Sequence, residues 1–480
     1  MNNNSRFFVM LASLGAAIGL GNIWIYPYYS YKLTGLFFIP FLIALLLLGF
    51  PLLVLEFSIG RYFDKNVVDL FAYVKKWFSS IGWFMIINAF IVMSYYAVVL
   101  AWHIIYFFVS AGLQWKKDAR DYFLHNVLQA SDSFRGFTQF SLPVFIALII
   151  AWILIFFYIR NGFESLKRKF LVTLPILILL MFFFLAYSLT LDNALNGLNL
   201  FLKPSFRNLA NASVWIHSFS LAVVSLGLSF GIFHSFGRKT DKGVIATSFV
   251  VVIFELLISI AVGLILFSII GFLSIQQNTE IGNFVHAGID YQFTTLARAL
   301  PLFYKPTLLS LLFFVFLSLF FVLGAASLAY SLMHVLVHKF KTKHANSAII
   351  VSGFGFLFGF LFITKPGFYV MDIVNHFVYY NILIALLLQT IAIGWFFDAQ
   401  KIAEFINKVS SLKIGALWKF MVRYVIPLIL LLLLFFQIKS DFLLDYNKYP
   451  IIFNLIFGIG IVILPLVISF LMPQRILDRK

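Results

Sequence analysis

Two carboxylates stand apart from the other acidic side chains: Glu56 and Glu255 lie deep inside long apolar runs that hold no Lys or Arg. An ionisable group at bilayer depth costs several kcal/mol, so it faces a cavity or a partner and marks a candidate ion or solute pathway. The plainer reading is a protonated or hydrogen-bonded carboxyl that only fixes helix packing. That reading has more force for Glu56 than for Glu255. Two glycine-interrupted segments have the complementary chemistry: Gly15-Ala-Ala-Ile-Gly-Leu-Gly-Asn22 and Ser225-Leu-Gly-Leu-Ser-Phe-Gly231. Glycine weakens a helix, and a local break frees carbonyls and amides that cannot stay unpaired in lipid. The carbonyls suit Na⁺, and the N-terminal ends of half-helices suit a carboxylate. For either segment alone, close packing through small residues is the favoured reading.

The elements that must position these residues are membrane spans. Only 11% of the 480 residues are charged, and the mean hydropathy is +1.00; a soluble domain carries about 25% charged residues. Soluble multidomain readings are excluded. Apolar runs predict twelve helical spans, at 6–29, 33–60, 80–111, 140–159, 170–190, 213–236, 244–273, 306–338, 346–364, 368–397, 420–438 and 450–472, each long enough to cross. The two interrupted segments fall in the first and sixth, corresponding members of two five-helix halves. That pairing is the pattern of inverted repeats with a solute site at their interface.

The sequence therefore predicts an all-α integral membrane protein with a short N-terminus (1–5), a first repeat (6–190), an external loop (191–212) and a second repeat (213–398). The second repeat includes a helical external lid (274–305), and a loop and two extra helices complete the chain (399–480). Of the 35 Lys and Arg, 23 fall in segments that share a side with both termini, which places the termini in the cytoplasm and the chain in the plasma, or inner, membrane. The net charge of +17 is thus an orientation signal, not a nucleic-acid footprint. With no cysteine, disulfides and thiolate metal sites are impossible. His103, His217 and His234 are isolated on apolar faces and read as packing residues, and the 62 Phe read as lipid-facing bulk. Asn211-Ala-Ser213 fits a glycosylation sequon and nothing more. No nucleophile–base pair is visible, so a transporter is expected and an enzyme is not.

At these same residues the sequence resembles the neurotransmitter:sodium symporter family. The strongest piece is Gly19-Leu-Gly-Asn-Ile-Trp-Ile-Tyr-Pro27, followed by Pro40, Gly49-Phe-Pro51 and Glu56-Phe-Ser-Ile-Gly-Arg61. Ser94-Tyr-Tyr96, Asn161-Gly-Phe-Glu-Ser-Leu-Lys-Arg-Lys169, Ser225 to Gly231 and Ala261-Val-Gly-Leu-Ile-Leu-Phe-Ser268 follow in order. The resemblance implies a ten-helix inverted-repeat core with discontinuous first and sixth helices, two extra helices, and Na⁺-coupled uptake of an amino acid or related amine. It implies a first sodium site from the Ala17 carbonyl, Asn22, Ser225 and Glu255, the last standing where relatives place Asn or Asp. Ser259, one turn later, matches a position that is Ser in chloride-dependent relatives and acidic in chloride-independent ones; chloride is left open. Tyr96 matches the hydroxyl that binds the substrate carboxylate, beside the first-span break at Ala17, Leu20 and Gly21. Gly19 stands where amine-transporting members carry Asp, which favours an amino acid. Val92, Val224, Gly227, Phe230, Ala326 and Tyr330 would line an apolar side-chain pocket.

The departures from the family pattern are equally specific. The Arg of the outer gate is Ile25, and its acidic partner in the tenth span is Asn375; losing both avoids a stranded charge. Leu221 replaces a gate Gln, and Val224 an aromatic lid. The second sodium site loses two hydroxyls to Ala325 and Ala326, keeping only the carbonyls of Gly15, Ile18 and Val322, so one coupled Na⁺ is expected. Two alternatives stay open: proton coupling through Glu255, and a transport-inactive relative that senses a solute.

Overall fold

The computed structural model describes residues 3–17, 21–33, 37–131, 134–203, 206–240, 243–286, 288–410, 412–441 and 446–472, without the side chains of 3–8, Trp24 and Val409. Among these residues the protein is helical and has no strand; one isolated bridge joins Phe140 to Thr364. Ten helices are long and apolar enough to cross a membrane: Phe38–Phe63, Lys76–Val109, Leu142–Ile159, Phe163–Leu189, Val244–Gln276, Pro306–Phe340, His344–Ile363, Gly367–Phe397, Ala416–Ser440 and Ile451–Leu471. The other two expected spans are the interrupted ones. The first consists of Val9–Ala17 and Gly21–Lys32, set at 52° to each other. The sixth consists of Ala212–Ser225 and, after a break, Ile232–Gly237. The multi-pass helical fold is the one expected.

Burial sorts the spans into a core and a periphery. The most apolar window of Lys76–Val109 is 89% buried, whereas those of the last two helices are 28% and 17% buried. The final pair therefore faces lipid, as helices added outside a core must. Lipid is as apolar as leucine, so helices associate through close approach and hydrogen bonds rather than by escaping solvent. Helix Phe38–Phe63 shows this against Ile232–Gly237: a Cβ on Gly60 would lie 2.2 Å from the His234 carbonyl oxygen, so only glycine permits the crossing.

One boundary differs from expectation. The basic segment 160–169 is not a loop throughout, because the fifth-span helix already starts at Phe163 and carries Lys167, Arg168 and Lys169 in its opening turns. Its 27 residues span about 40 Å, more than the ~30 Å hydrocarbon core, so its charged end reaches the interface. The segment 274–305, expected to form an external lid, carries short helical turns at Ile281–Phe284, Gln292–Leu296 and Leu300–Leu302. It is pinned to the third span, where Phe293 packs on His103 and Tyr106 at 4.8 and 4.9 Å, and to the segment after that span, where Phe293 stacks on Phe123 at 4.8 Å and Trp115 donates to the Ala297 carbonyl at 2.8 Å.

Ion pairs invisible to hydropathy tie the chain at the other end of these helices. Lys339, at the end of Pro306–Phe340, meets Asp69 at 2.7 Å in a buried pair. Asp69 also accepts from Asn66 Nδ2 at 2.6 Å. Nearby, Arg238 Nε donates to Asp64 at 2.8 Å and its Nη1 lies 2.8 Å from His334 Nε2. Because guanidinium can only donate, that ring nitrogen must be the acceptor, and His334 is neutral here. These contacts join the second, sixth and eighth spans.

Candidate ion and solute site

The break in the sixth span follows from its backbone. Gly227 and Gly231 adopt φ of 66° and 73°, and Ser229 between them φ of 68°, a left-handed conformation that costs a residue with a Cβ about 1–2 kcal/mol. Side chains from other helices satisfy what the break exposes. Glu56 Oε1 accepts the Ser229 amide at 2.8 Å, and Ser331 Oγ donates to the Phe230 carbonyl at 2.7 Å. Glu56 is therefore a clasp on the break, in keeping with its plainer reading. Its other oxygen lies 3.7 Å from His234 Nδ1, so His234 is not isolated on an apolar face as expected: the close crossing at Gly60 brings it to Glu56.

The two breaks lie against each other. A Cβ on Gly227 would sit 3.4 Å from the Ala16 carbonyl oxygen, and one on Gly21 would sit 3.1 Å from Ser225 Cβ. At this junction Asn22 Nδ2 donates to Glu255 Oε1 at 2.8 Å and to Ser259 Oγ at 3.0 Å. Ser259 in turn approaches the same carboxyl oxygen at 3.4 Å. Asn22, Glu255 and Ser259 are fully buried and Ser225 nearly so. Ser225 stands close enough to interact with the Glu255 carboxyl, yet among the described residues Ser225 Oγ and Glu255 Oε2 have no partner in hydrogen-bonding geometry. Unpaired buried oxygens are costly, and a hard monovalent cation placed between them is a chemistry that this donor set fits. The structure thus brings together Asn22, Ser225, Glu255 and Ser259, with Ala17 at the end of the first helical piece.

The other candidates fall around this centre. Tyr96 is buried, with its ring 5.8 Å from Phe321 and 5.6 Å from Tyr95. Tyr95 OH donates to Asn375 at 3.2 Å, a neutral polar contact at the position of the missing gate; Ile25 is partly buried against the core. Val92, Phe230, Val322, Ala325 and Ala326 are buried, and Val224 is partly so. Tyr330 packs among Phe236, Phe163 and His334 at 5.7, 6.0 and 5.9 Å, toward the Arg238 cluster. Where the resemblance implies a second cation position, a Cβ on Gly15 would touch the Phe170 ring at 2.8 Å, and the Ser327 hydroxyl is spent on its own helix. Ile18 and Leu20 lie outside the described residues, as does Gly19. Hydropathy gave no signal for Ser331; only its polarity within an apolar span marked it.

The model of the sodium:neurotransmitter symporter family matches residues 2–121 and 112–477. An uncharacterized sodium-dependent transporter of Methanocaldococcus jannaschii is 31% identical, covering 98% of this chain and 97% of its own. The sodium- and chloride-dependent GABA transporter ine of Drosophila melanogaster is 26% identical over 85% of this chain and 48% of its own. The sodium-dependent nutrient amino acid transporter 1 of Drosophila virilis is 25% identical over 91% and 77%. The chain belongs to the sodium:neurotransmitter symporter family.

Proposed function

We propose that this member of a sodium-dependent transporter family couples one Na⁺ to the inward movement of an apolar amino acid by alternating access. The observation that supports this reading best is a pair of buried oxygens, Glu255 Oε2 and Ser225 Oγ, left without a hydrogen-bond partner among the described residues, beside Asn22 at the junction of the two breaks. A carboxylate supplies the charge that a dehydrated Na⁺ requires, and Asn22 would turn its carbonyl oxygen toward the ion. At the second position the hydroxyls are replaced by Ala325 and Ala326, and Phe170 fills the space beside Gly15. One ion then binds, not two.

The solute's carboxylate would lie between the Tyr96 hydroxyl and the first-span break, with its side chain toward Val92, Val224 and Phe230. Tyr96→Phe is expected to weaken amino-acid binding by ~1–3 kcal/mol, the cost of leaving a charged acceptor short of a donor, while barely changing affinity for the decarboxylated amine. Competition binding with an amino acid and its amine checks both. Equal competition by the two in the unmodified protein would overturn the assignment of substrate class.

Glu255 also bears on chloride. An anion seated beside Ser259 would lie about 4 Å from the carboxylate, where like charges repel by roughly 4 kcal/mol at an effective dielectric of ~20. The carboxylate takes over the role of the anion, and uptake should not require chloride.

The distribution of Lys and Arg supports a cytoplasmic position for both termini. Because the chain has no cysteine, single substitutions report topology cleanly. A membrane-impermeant thiol reagent applied to intact cells should label Lys203→Cys and spare Lys167→Cys. The reverse pattern would invert the orientation.

A further inference from the structure

A cavity that shares no lining residue with the two breaks lies between the last three spans. It measures about 310 Å³ and is lined by Phe377, Tyr380, Ile438, Asp441, Val462 and Ile463, among others. Its mouth faces lipid, because the wall residues Ile438 and Ile463 are 54% and 51% exposed on the outside of the bundle. Ligand cavities of about 300–1,000 Å³ are characteristically apolar with a few fixed polar groups, and here the fixed group is Asp441.

Three donors hold one oxygen of that carboxylate. Asp441 Oδ2 is 2.7 Å from His376 Nε2, 2.9 Å from Tyr380 OH and 2.8 Å from Gln437 Nε2. Among the described residues Oδ1 takes no hydrogen bond, although the side chain is only 11% exposed. Burial pushes the Asp441 carboxyl up, but the bonds from His376, Gln437 and Tyr380 outweigh it and hold the group below its ordinary value. Asp372, the other buried acid of this region, is fully engaged by Tyr446, Asn447 and Tyr449 and serves to anchor the turn before the last helix. Asp441 is different, because it lines the apolar groove and its Oδ1 takes no hydrogen bond from the described residues.

We propose that this groove binds an amphiphile with a primary ammonium head and a single alkyl chain, the head on Asp441 Oδ1 and the chain along Ile438, Val462 and Ile463. Charge complementarity selects the head: an ammonium offers three donors to a carboxylate that already has a rigid, hydrogen-bonded back. A fatty acid would face like charge, and an alcohol would offer one neutral donor. The apolar walls and the lipid-facing mouth select the chain. Neither the ion nor the solute site shares a residue with this groove, so the proposal stands or falls independently of them.

The test uses the full chain in phosphatidylcholine nanodiscs with a photoreactive dodecylamine, the labelled positions being mapped by peptide mass spectrometry. Labelling is expected on helices Gly367–Phe397 and Ile451–Leu471, with dodecylamine competing at least tenfold better than dodecanol or dodecanoic acid. Asp441→Asn keeps the groove and should erase that preference. Val462→Trp fills the groove, keeps the Asp441 contacts and should abolish labelling there. Equal competition by the acid, labelling that survives Val462→Trp, or crosslinks between two copies through this groove would each overturn the proposal.

Discussion

Glu255→Ala is expected to lower sodium affinity about a hundredfold, with sodium-driven uptake falling in step while the protein still inserts and folds. The carboxylate is the only charged ligand in the proposed ion site, and interactions of a charged group are worth ~1.5–3 kcal/mol, where each 1.4 kcal/mol is about tenfold. Folding should survive because Asn22 Nδ2 keeps its bond to Ser259 at 3.0 Å. Glu255→Gln should fall between, as an amide oxygen can still ligate Na⁺ without the charge. The measurement is sodium titration of substrate binding in purified protein, with thermal stability recorded alongside. Unchanged sodium affinity in Glu255→Ala would remove this residue from the site.

Lys339→Met should have the largest effect on stability. It strands the buried Asp69 carboxylate, and breaking a buried ion pair from one side costs ~3–5 kcal/mol. The Asn66 Nδ2 bond to the Asp69 carboxylate softens the loss but cannot replace the cation. Adding Asp69→Asn removes the stranded charge and should restore most of the lost stability. Thermal inactivation of the two variants in the same detergent measures this. Equal stability of Lys339→Met and the unmodified protein would mean the pair is screened by water.

Depth in the membrane was legible in the sequence, and rotation about a helix axis was not. Apolar runs located the spans, and the glycines at 15, 19, 21, 227 and 231 marked the two breaks, because both signals are local in the chain. The Asn22–Glu255 contact could be anticipated only through the family resemblance. Its partners are 233 positions apart, and no periodicity links them. His234 was misread for the same reason. Its neighbours in sequence are apolar, but the helix crossing it brings Glu56 to 3.7 Å. Ser331 on Phe230, Lys339 on Asp69 and Arg238 on His334 were likewise hidden, since each depends on which helix faces are turned together. The early start of the fifth-span helix was missed because three consecutive basic residues read as loop, although a helix longer than the bilayer carries its charged turns into the interface.

The most direct test of the account is the ratio of sodium to solute moved. Proteoliposomes containing the purified chain, loaded with and without an inward sodium gradient, can be supplied with radioactive Na⁺ and a labelled apolar amino acid together. One Na⁺ per amino acid, with uptake lost when the gradient is removed, is the result predicted if the proposed site at Glu255 binds sodium and Ala325 and Ala326 have cost the chain a second one. Two Na⁺ per amino acid, or uptake driven by a proton gradient in the absence of sodium, would contradict it.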